Sequence, residues 1–284
     1  MHDETRPLVA GQMWAPPLGP VLDAGGASDA GTHRRTNEDS YLVAPPVFVV
    51  ADGMGGHAAG DVASGIVVEV FDELVRRGAI DAESVRAGLA RAAELIEQLP
   101  AGSGRQAPGS TVALAAHVEE DGVPYWCLAS IGDSRTYLLA DGHLTQVSRD
   151  HSVVQELIDD GQLTAAAARS HPERHVITRA LGATLSSPAD FAMLPVEPGT
   201  RLLLCSDGVS TPLSHAAILE VVGAGQSAPE TASRLVATAL AAGGRDNATA
   251  LVVDVRPDGG HIDDDTIESA SALANEHHHA TRVG

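Results

Sequence analysis

Apolar positions follow two rhythms along this chain, short β-branched runs and longer stretches with helical spacing. Val47 to Ala51 (VFVVA) is a short run and predicts a buried strand ending on Asp52. Gly53, Met54, Gly55 and Gly56 follow, a segment too glycine-rich to prolong the strand and suited to positive φ or a close backbone approach. From about Ala58 to Arg77 the spacing of Val62, Ile66, Val70 and Leu74 predicts one helix. Val85, Leu89, Ala92 and Ile96 pattern a second, from about Glu83 to Leu99. Period two then predicts strands over Thr111 to Val118, Pro124 to Ile131 and Arg135 to Leu139, joined by turns at Glu119 to Gly122 and Asp141-Gly142.

Other elements flank these. Strands are expected near Val21 to Gly31, Tyr41 to Val43, Asp190 to Leu194, Arg201 to Cys205 and Thr249 to Val255. Helices are expected at Val153 to Asp159, Ser214 to Val222 and Pro229 to Ala241. The polar stretch Gly161 to Arg179 has no strong period and reads as a flap. Three divisions result: a flexible, proline-bearing lead-in over residues 1–20, one folded domain over 21–256, and a disordered acidic tail with His277 to His279 over 257–284.

Composition sharpens the picture. With 284 residues, 44% of them hydrophobic, the chain can bury a full core. Its 38 acidic residues face 18 basic ones, all arginine, for a formal net charge of -20. Such a surface repels nucleic acid and anionic membrane, and repels phosphorylated ligands too unless a local cation reverses the sign. Cys127 and Cys205 each sit in a strand-like run and read as reduced core thiols. The first residues, MHDETRP, lack the basic start of a signal peptide, and no apolar run approaches the length of a membrane span. A cytoplasmic monomer is expected.

Glu38, Asp52, Asp133, Asp207 and Asp246 stand at the predicted ends or starts of strands, next to Gly or Asn. An isolated Asp-Gly is ordinarily a turn. If these edges converge, however, like charges about 4 Å apart repel by about 4 kcal/mol at an effective dielectric near 20. Divalent cations that favour oxygen donors are the natural compensation, and a pair of them can activate water against a phosphoryl group.

The order Arg34…Glu38-Asp39, Asp52-Gly53-Met54-Gly55-Gly56-His57, Gly132-Asp133-Ser134-Arg135, Ser206-Asp207-Gly208, Asp246-Asn247 resembles the metal-dependent protein phosphatases of type 2C, bacterial kind. The resemblance runs from roughly Val21 to Val255. It implies an α+β fold, a four-layer α-β-β-α sandwich of two antiparallel sheets flanked by helices. It also implies Mn²⁺ or Mg²⁺, two core ions with room for a third, and phosphoserine and phosphothreonine proteins as substrates, opposing serine/threonine kinases. By the same resemblance Asp52 bridges the two ions, Gly53 offers a carbonyl, and Asp207 and Asp246 complete the second ion. Glu38 acts through water, Asp133 serves the third ion, and Arg34 grips the phosphate. Animal relatives carry a histidine directly after Asp-Gly where this chain has Met54, which leaves the general acid open between His57, His175 and a bound water. Two rival readings remain at this stage: a phosphoprotein-binding module without turnover, and a phosphoesterase for nucleic acid or small molecules, against which the absence of a basic stripe argues.

Overall fold

The computed structural model describes residues 12–14, 21–55, 59–100, 107–182 and 188–256. The expected tail over 257–284 and His57 lie outside them. Among the described residues, twelve strands form two sheets and seven helices accompany them. In the first, β1 (Gln12–Trp14), β2 (Val21–Asp29), β12 (Ala248–Arg256), β11 (Arg201–Cys205), β8 (Arg135–Ala140) and β9 (His143–Gln146) lie side by side in that order. The second runs β10 (Asp190–Pro195), β7 (Val123–Ile131), β6 (Val112–Glu120), β4 (Val47–Met54) and β3 (Asp39–Ala44), with β5 (Gly109–Ser110) pairing the end of β4. All pairings are antiparallel.

Alternation along the strands sorts the apolar residues into three packed layers. Phe48 and Val50 of β4, Ala113 and Ala115 of β6, Leu202 and Leu204 of β11, and Leu251 and Val253 of β12 fill the space between the sheets. Their neighbours Val47, Val49 and Ala51 face outward, under α1 (Gly60–Arg77) and α2 (Ala82–Glu97). On the far side, Leu203, Cys205, Ala250 and Val252 pack under α6 (His215–Val222) and α7 (Ala228–Ala241). The expected four-layer α-β-β-α sandwich is thus observed, because every central strand is apolar on both faces and needs cover on both.

Several local expectations change. The buried stripe of α1 is Ala63, Val67 and Phe71, while Val62 is 44% exposed and Ile66, Val70 and Leu74 only flank the contact. The stripe lies one position away because Phe71, the largest side chain available, takes the centre. Within the expected lead-in, Gln12–Trp14 forms a strand against Leu22 to Ala24. The segment expected to flap contains a short helix, α4 (Ala165–Ala168), and is tied at its far end where Val153 N donates to Val176 O at 2.9 Å. Strand β9 follows the Asp141-Gly142 turn and was not foreseen.

The largest change concerns β4, which continues through Asp52 and Gly53 to Met54 because β5 supplies partners, Ser110 for Gly53 and Gly109 for Met54. Gly53 is needed for closeness, since a Cβ there would stand 1.9 Å from Gly60 O and 2.8 Å from Glu38 O. Gly53→Ala is therefore expected to cost about 3 kcal/mol through forced separation of β4 from α1. The melting temperature should fall by roughly 6–12 °C. A thermal melt within a degree or two of wild type would refute the close-packing account.

Candidate functional site

At one end of the sandwich the inter-sheet core turns polar. Asp52 follows Phe48 and Val50 in the alternation of β4 and so occupies the same inner face. Opposite it on β3 stands Asp39, its register partner. Asp39 Oδ2 accepts from Ser206 Oγ (2.8 Å) and Thr249 Oγ1 (2.7 Å) of the other sheet, while its Oδ1, also buried, has no partner. Thr111 Oγ1 and Ser134 Oγ share a second hydrogen bond across the sheets, at 2.7 Å. At this rim, hydrogen bonds replace the hydrophobic contact that joins the sheets elsewhere.

Four connections deliver the remaining groups. Asp207 begins the short helix α5 (Asp207–Ser210) directly after β11, a helix start where the sequence pattern suggested a turn like that at Asp52. Gly208 is tight against the β12 approach, with a Cβ there only 1.8 Å from Asn247 O. Asp133 lies in the turn between β7 and β8. Asp246 precedes β12, and its neighbour Asn247 anchors the loop that carries Arg34. The Asn247 Oδ1 accepts from Glu38 N (2.9 Å), while its Nδ2 donates to Ala30 O (2.9 Å) and Thr36 O (3.1 Å). Arg34 Nη2 donates to Asp246 Oδ2 at 2.7 Å, an exposed pair that is cheap to open.

Glu38, Asp52, Gly53, Asp133, Asp207, Asp246, Arg34 and His175 thus line one cleft. His175 Nδ1 is 3.9 Å from Asp207 Oδ2. The cleft measures roughly 1490 Å³, above the roughly 300–1,000 Å³ usual for small-molecule pockets. Desolvation, then repulsion from Asp39, Asp207 and Asp133, raises the Asp52 carboxyl well above its ordinary range. Desolvation and Asp207 push Asp133 up to about 8. Asp39 is raised to about 7, by burial against its two hydroxyl donors. Asp207 also rises, chiefly by desolvation and then by Asp246.

These carboxylates repel one another, and one buried oxygen lacks a donor. Hard divalent cations match that donor set: carboxylate oxygens, the Gly53 carbonyl and water. Among the described residues, no three His, Cys, Asp or Glu side chains enclose an ion by themselves, so water oxygens and the carbonyl belong to any shell formed here.

Asp39 stands in the sequence motif but its place facing Asp52 comes only from strand register. His151 had no visible signal beyond its place before a helix. It is fully buried, accepts at Nδ1 from Gly132 N (3.2 Å), and turns Nε2 to Asp190 Oδ2 (3.1 Å). Its carbonyl accepts from Thr178 N at 2.8 Å. One imidazole therefore joins the Asp133 turn, the end of the flap segment and β10. Arg135 and Asp150 form a fork beside it, with Arg135 Nη2 to Asp150 Oδ2 at 2.6 Å.

A two-sheet sandwich with carboxylates gathered at its rim, and Arg34 paired to one of them, is the arrangement of the metal-dependent phosphatases. The chain belongs to the protein phosphatase 2C family, whose model matches residues 29–242. It is 40% identical over 241 residues to the serine/threonine protein phosphatase PstP of Mycobacterium tuberculosis, covering 83% of this chain and 45% of that protein, so it spans less than half of that relative's length. To the serine/threonine phosphatase stp of Listeria innocua it is 33% identical over 238 residues, 80% of this chain and 93% of the relative. The crystal structure of the PstP catalytic domain in complex with two manganese ions superposes with a TM-score of 0.72 at 37% identity, over 83% of this chain and 99% of that one. Among the described residues, no helix is long and apolar enough to cross a membrane.

Proposed function

We propose that this chain removes phosphate from phosphoserine and phosphothreonine in proteins, using Mn²⁺ or Mg²⁺, and so opposes serine/threonine kinases. The observation that carries the reading is the convergence of five carboxylates and Arg34 on a single cleft. The two manganese ions of the PstP relative support the same chemistry here.

Asp52, Asp207 and Asp246, with the Gly53 carbonyl, would hold two ions, Glu38 would act through water, and Asp133 would serve a third ion. When bound, the ions supply charge neutralisation and an activated water for in-line attack on phosphorus. Arg34 would leave Asp246 and fork onto two phosphate oxygens, holding the ester in line. The Asn247 clamp fixes the loop that presents it. Met54, at the position where animal relatives carry histidine, lines the cleft and has no proton to give; His175, 3.9 Å from Asp207, would serve as acid or as a flap contact to substrate, with a bound water as the alternative acid. His57, the other candidate acid, is proposed on its sequence position alone. The buried free thiols Cys127 and Cys205 support the reducing cytoplasm as the place of action, and a monomer remains the expected state.

Hydrolysis of a phosphothreonine peptide with and without Mn²⁺, before and after chelation, tests the reading. Phosphate release that stops on chelation and returns with Mn²⁺ is expected. A folded protein that binds Mn²⁺ but releases no phosphate would instead be a binding module.

A further inference from the structure

Apart from its five carboxylates the cleft wall carries no acidic residue, although Asp and Glu outnumber Arg by 38 to 18 in the chain. Five arginines line it: Arg34, Arg35, Arg174, Arg179 and Arg245. Two of them are committed, Arg34 to Asp246 at 2.7 Å and Arg179 to Asp190 at 3.0 Å. The other three are exposed at the mouth on separate connections: Arg35 between β2 and β3, Arg174 between α4 and β10, Arg245 between α7 and β12. Arg174 donates only to a backbone oxygen, that of His171 at 3.4 Å. Arg35 and Arg245 have no carboxylate partner among the described residues. Among the described residues Arg86, Arg169 and Arg234 also lack a carboxylate partner, but none of them lines the cleft; what sets Arg35, Arg174 and Arg245 apart is that three separate connections bring them to one mouth beside the carboxylates.

With Arg179 paired to Asp190 outside the cleft, five carboxylates face four arginines, so two divalent ions would make the cleft positive inside a protein of net charge -20. One arginine suffices for one phosphate. Three more, spread around a peptide-sized mouth, match negative charge beside the phosphoester, and the guanidinium fork suits carboxylate and phosphate alike.

We propose that the cleft selects acidic phosphopeptides, in which residues flanking the target phosphoserine or phosphothreonine carry further negative charge as Asp, Glu or a second phosphate, and that Arg35, Arg174 and Arg245 are the specificity residues. The inference rests on the phosphatase reading above and narrows its substrate class. The acidic exterior then rejects polyanions everywhere except at this mouth, which also steers them inward.

The test compares kcat/KM for three phosphothreonine peptides of equal length flanked by Glu, Ala or Lys, with Mn²⁺ at low salt, and includes p-nitrophenyl phosphate as a substrate without flanks. Each exposed pair is expected to contribute about a twofold effect, so with three pairs the Glu-flanked peptide should exceed the Ala-flanked one about tenfold, with the Lys-flanked one slowest. The preference should shrink in about 0.5 M salt, approach unity in the triple variant Arg35→Ala/Arg174→Ala/Arg245→Ala, and persist in Arg35→Lys/Arg174→Lys/Arg245→Lys. Melting curves check that the variants fold. Equal kcat/KM for the three peptides while p-nitrophenyl phosphate is hydrolysed would overturn the selectivity and leave the phosphatase reading standing, as would a preference that survives the triple alanine variant. Absence of metal-dependent turnover on every substrate would overturn the phosphatase reading and this inference with it.

Discussion

Asp52→Asn is expected to lower kcat on a phosphothreonine peptide by about a thousandfold and, at the same time, to stabilise the metal-free protein. Loss of a bridging carboxylate removes several kcal/mol of transition-state charge stabilisation, and about 4 kcal/mol corresponds to three powers of ten in rate. The stability gain has a separate cause. Asp52 faces Asp39 across a strand pair and feels Asp207 and Asp133, so its charge is opposed by desolvation and by its neighbours. An amide of the same shape removes that repulsion and keeps the Thr111 N to Asp52 O hydrogen bond of 2.9 Å. A melting temperature about 3 °C higher without metal, and a much smaller rise on adding Mn²⁺, are expected from calorimetry. Near-wild-type turnover at saturating Mn²⁺ would remove Asp52 from the reaction. An unchanged apo melting temperature would dispose of the repulsion argument.

The stabilisation conferred by Mn²⁺ should grow steeply between pH 5 and pH 8. Asp39 and Asp133 titrate near 7 and near 8 in the metal-free fold, against 3.8 ordinarily. With folded pKa values raised, the native state holds protons that the unfolded chain has released, so the contribution of these two groups to apo stability is fullest below about pH 4 and is lost as pH rises through about 8. Metal binding must displace those protons, and its advantage is largest where they have already gone. At a hundredfold excess over Kd each ion contributes about 2.7 kcal/mol. For two ions this is a rise of roughly 10–20 °C at pH 8, falling to a few degrees at pH 5. Melting curves with Mn²⁺ and with chelator across this range measure it; a metal-induced shift independent of pH would mean that the carboxylates are not raised as a group.

What was legible in the sequence follows the range of the forces involved. The apolar runs in Val47 to Ala51, Arg201 to Cys205 and Thr249 to Val255 announced strands, because burial on both faces leaves a continuous apolar run. Helix α2 was visible residue by residue, from Val85 to Ile96. The extension of β4 through Asp52-Gly53 was not, since it depends on β5, which pairs from more than fifty positions away. Nor was α1's face, where four spaced aliphatic residues gave way to Ala63, Val67 and Phe71 because depth in the contact, and not spacing alone, decides burial. In the site, Arg34, Glu38, Asp52, Gly53, Asp133, Asp207 and Asp246 could each be named from their motifs, while His151 and Asp190 could not. They bond across 39 positions and sit in no repeating pattern.

By itself, then, the sequence determined the kinds of layer, which residues were candidates for chemistry and the sign of the surface, because periodicity, residue type and charge are properties of neighbours along the chain. Only the tertiary structure decided that Asp39 faces Asp52, that Asn247 clamps the loop bearing Arg34, and that Arg35, Arg174 and Arg245 meet where the carboxylates do. Strand register and sheet-to-sheet packing set those distances, and both are paid for by contacts between segments that the chain order keeps far apart.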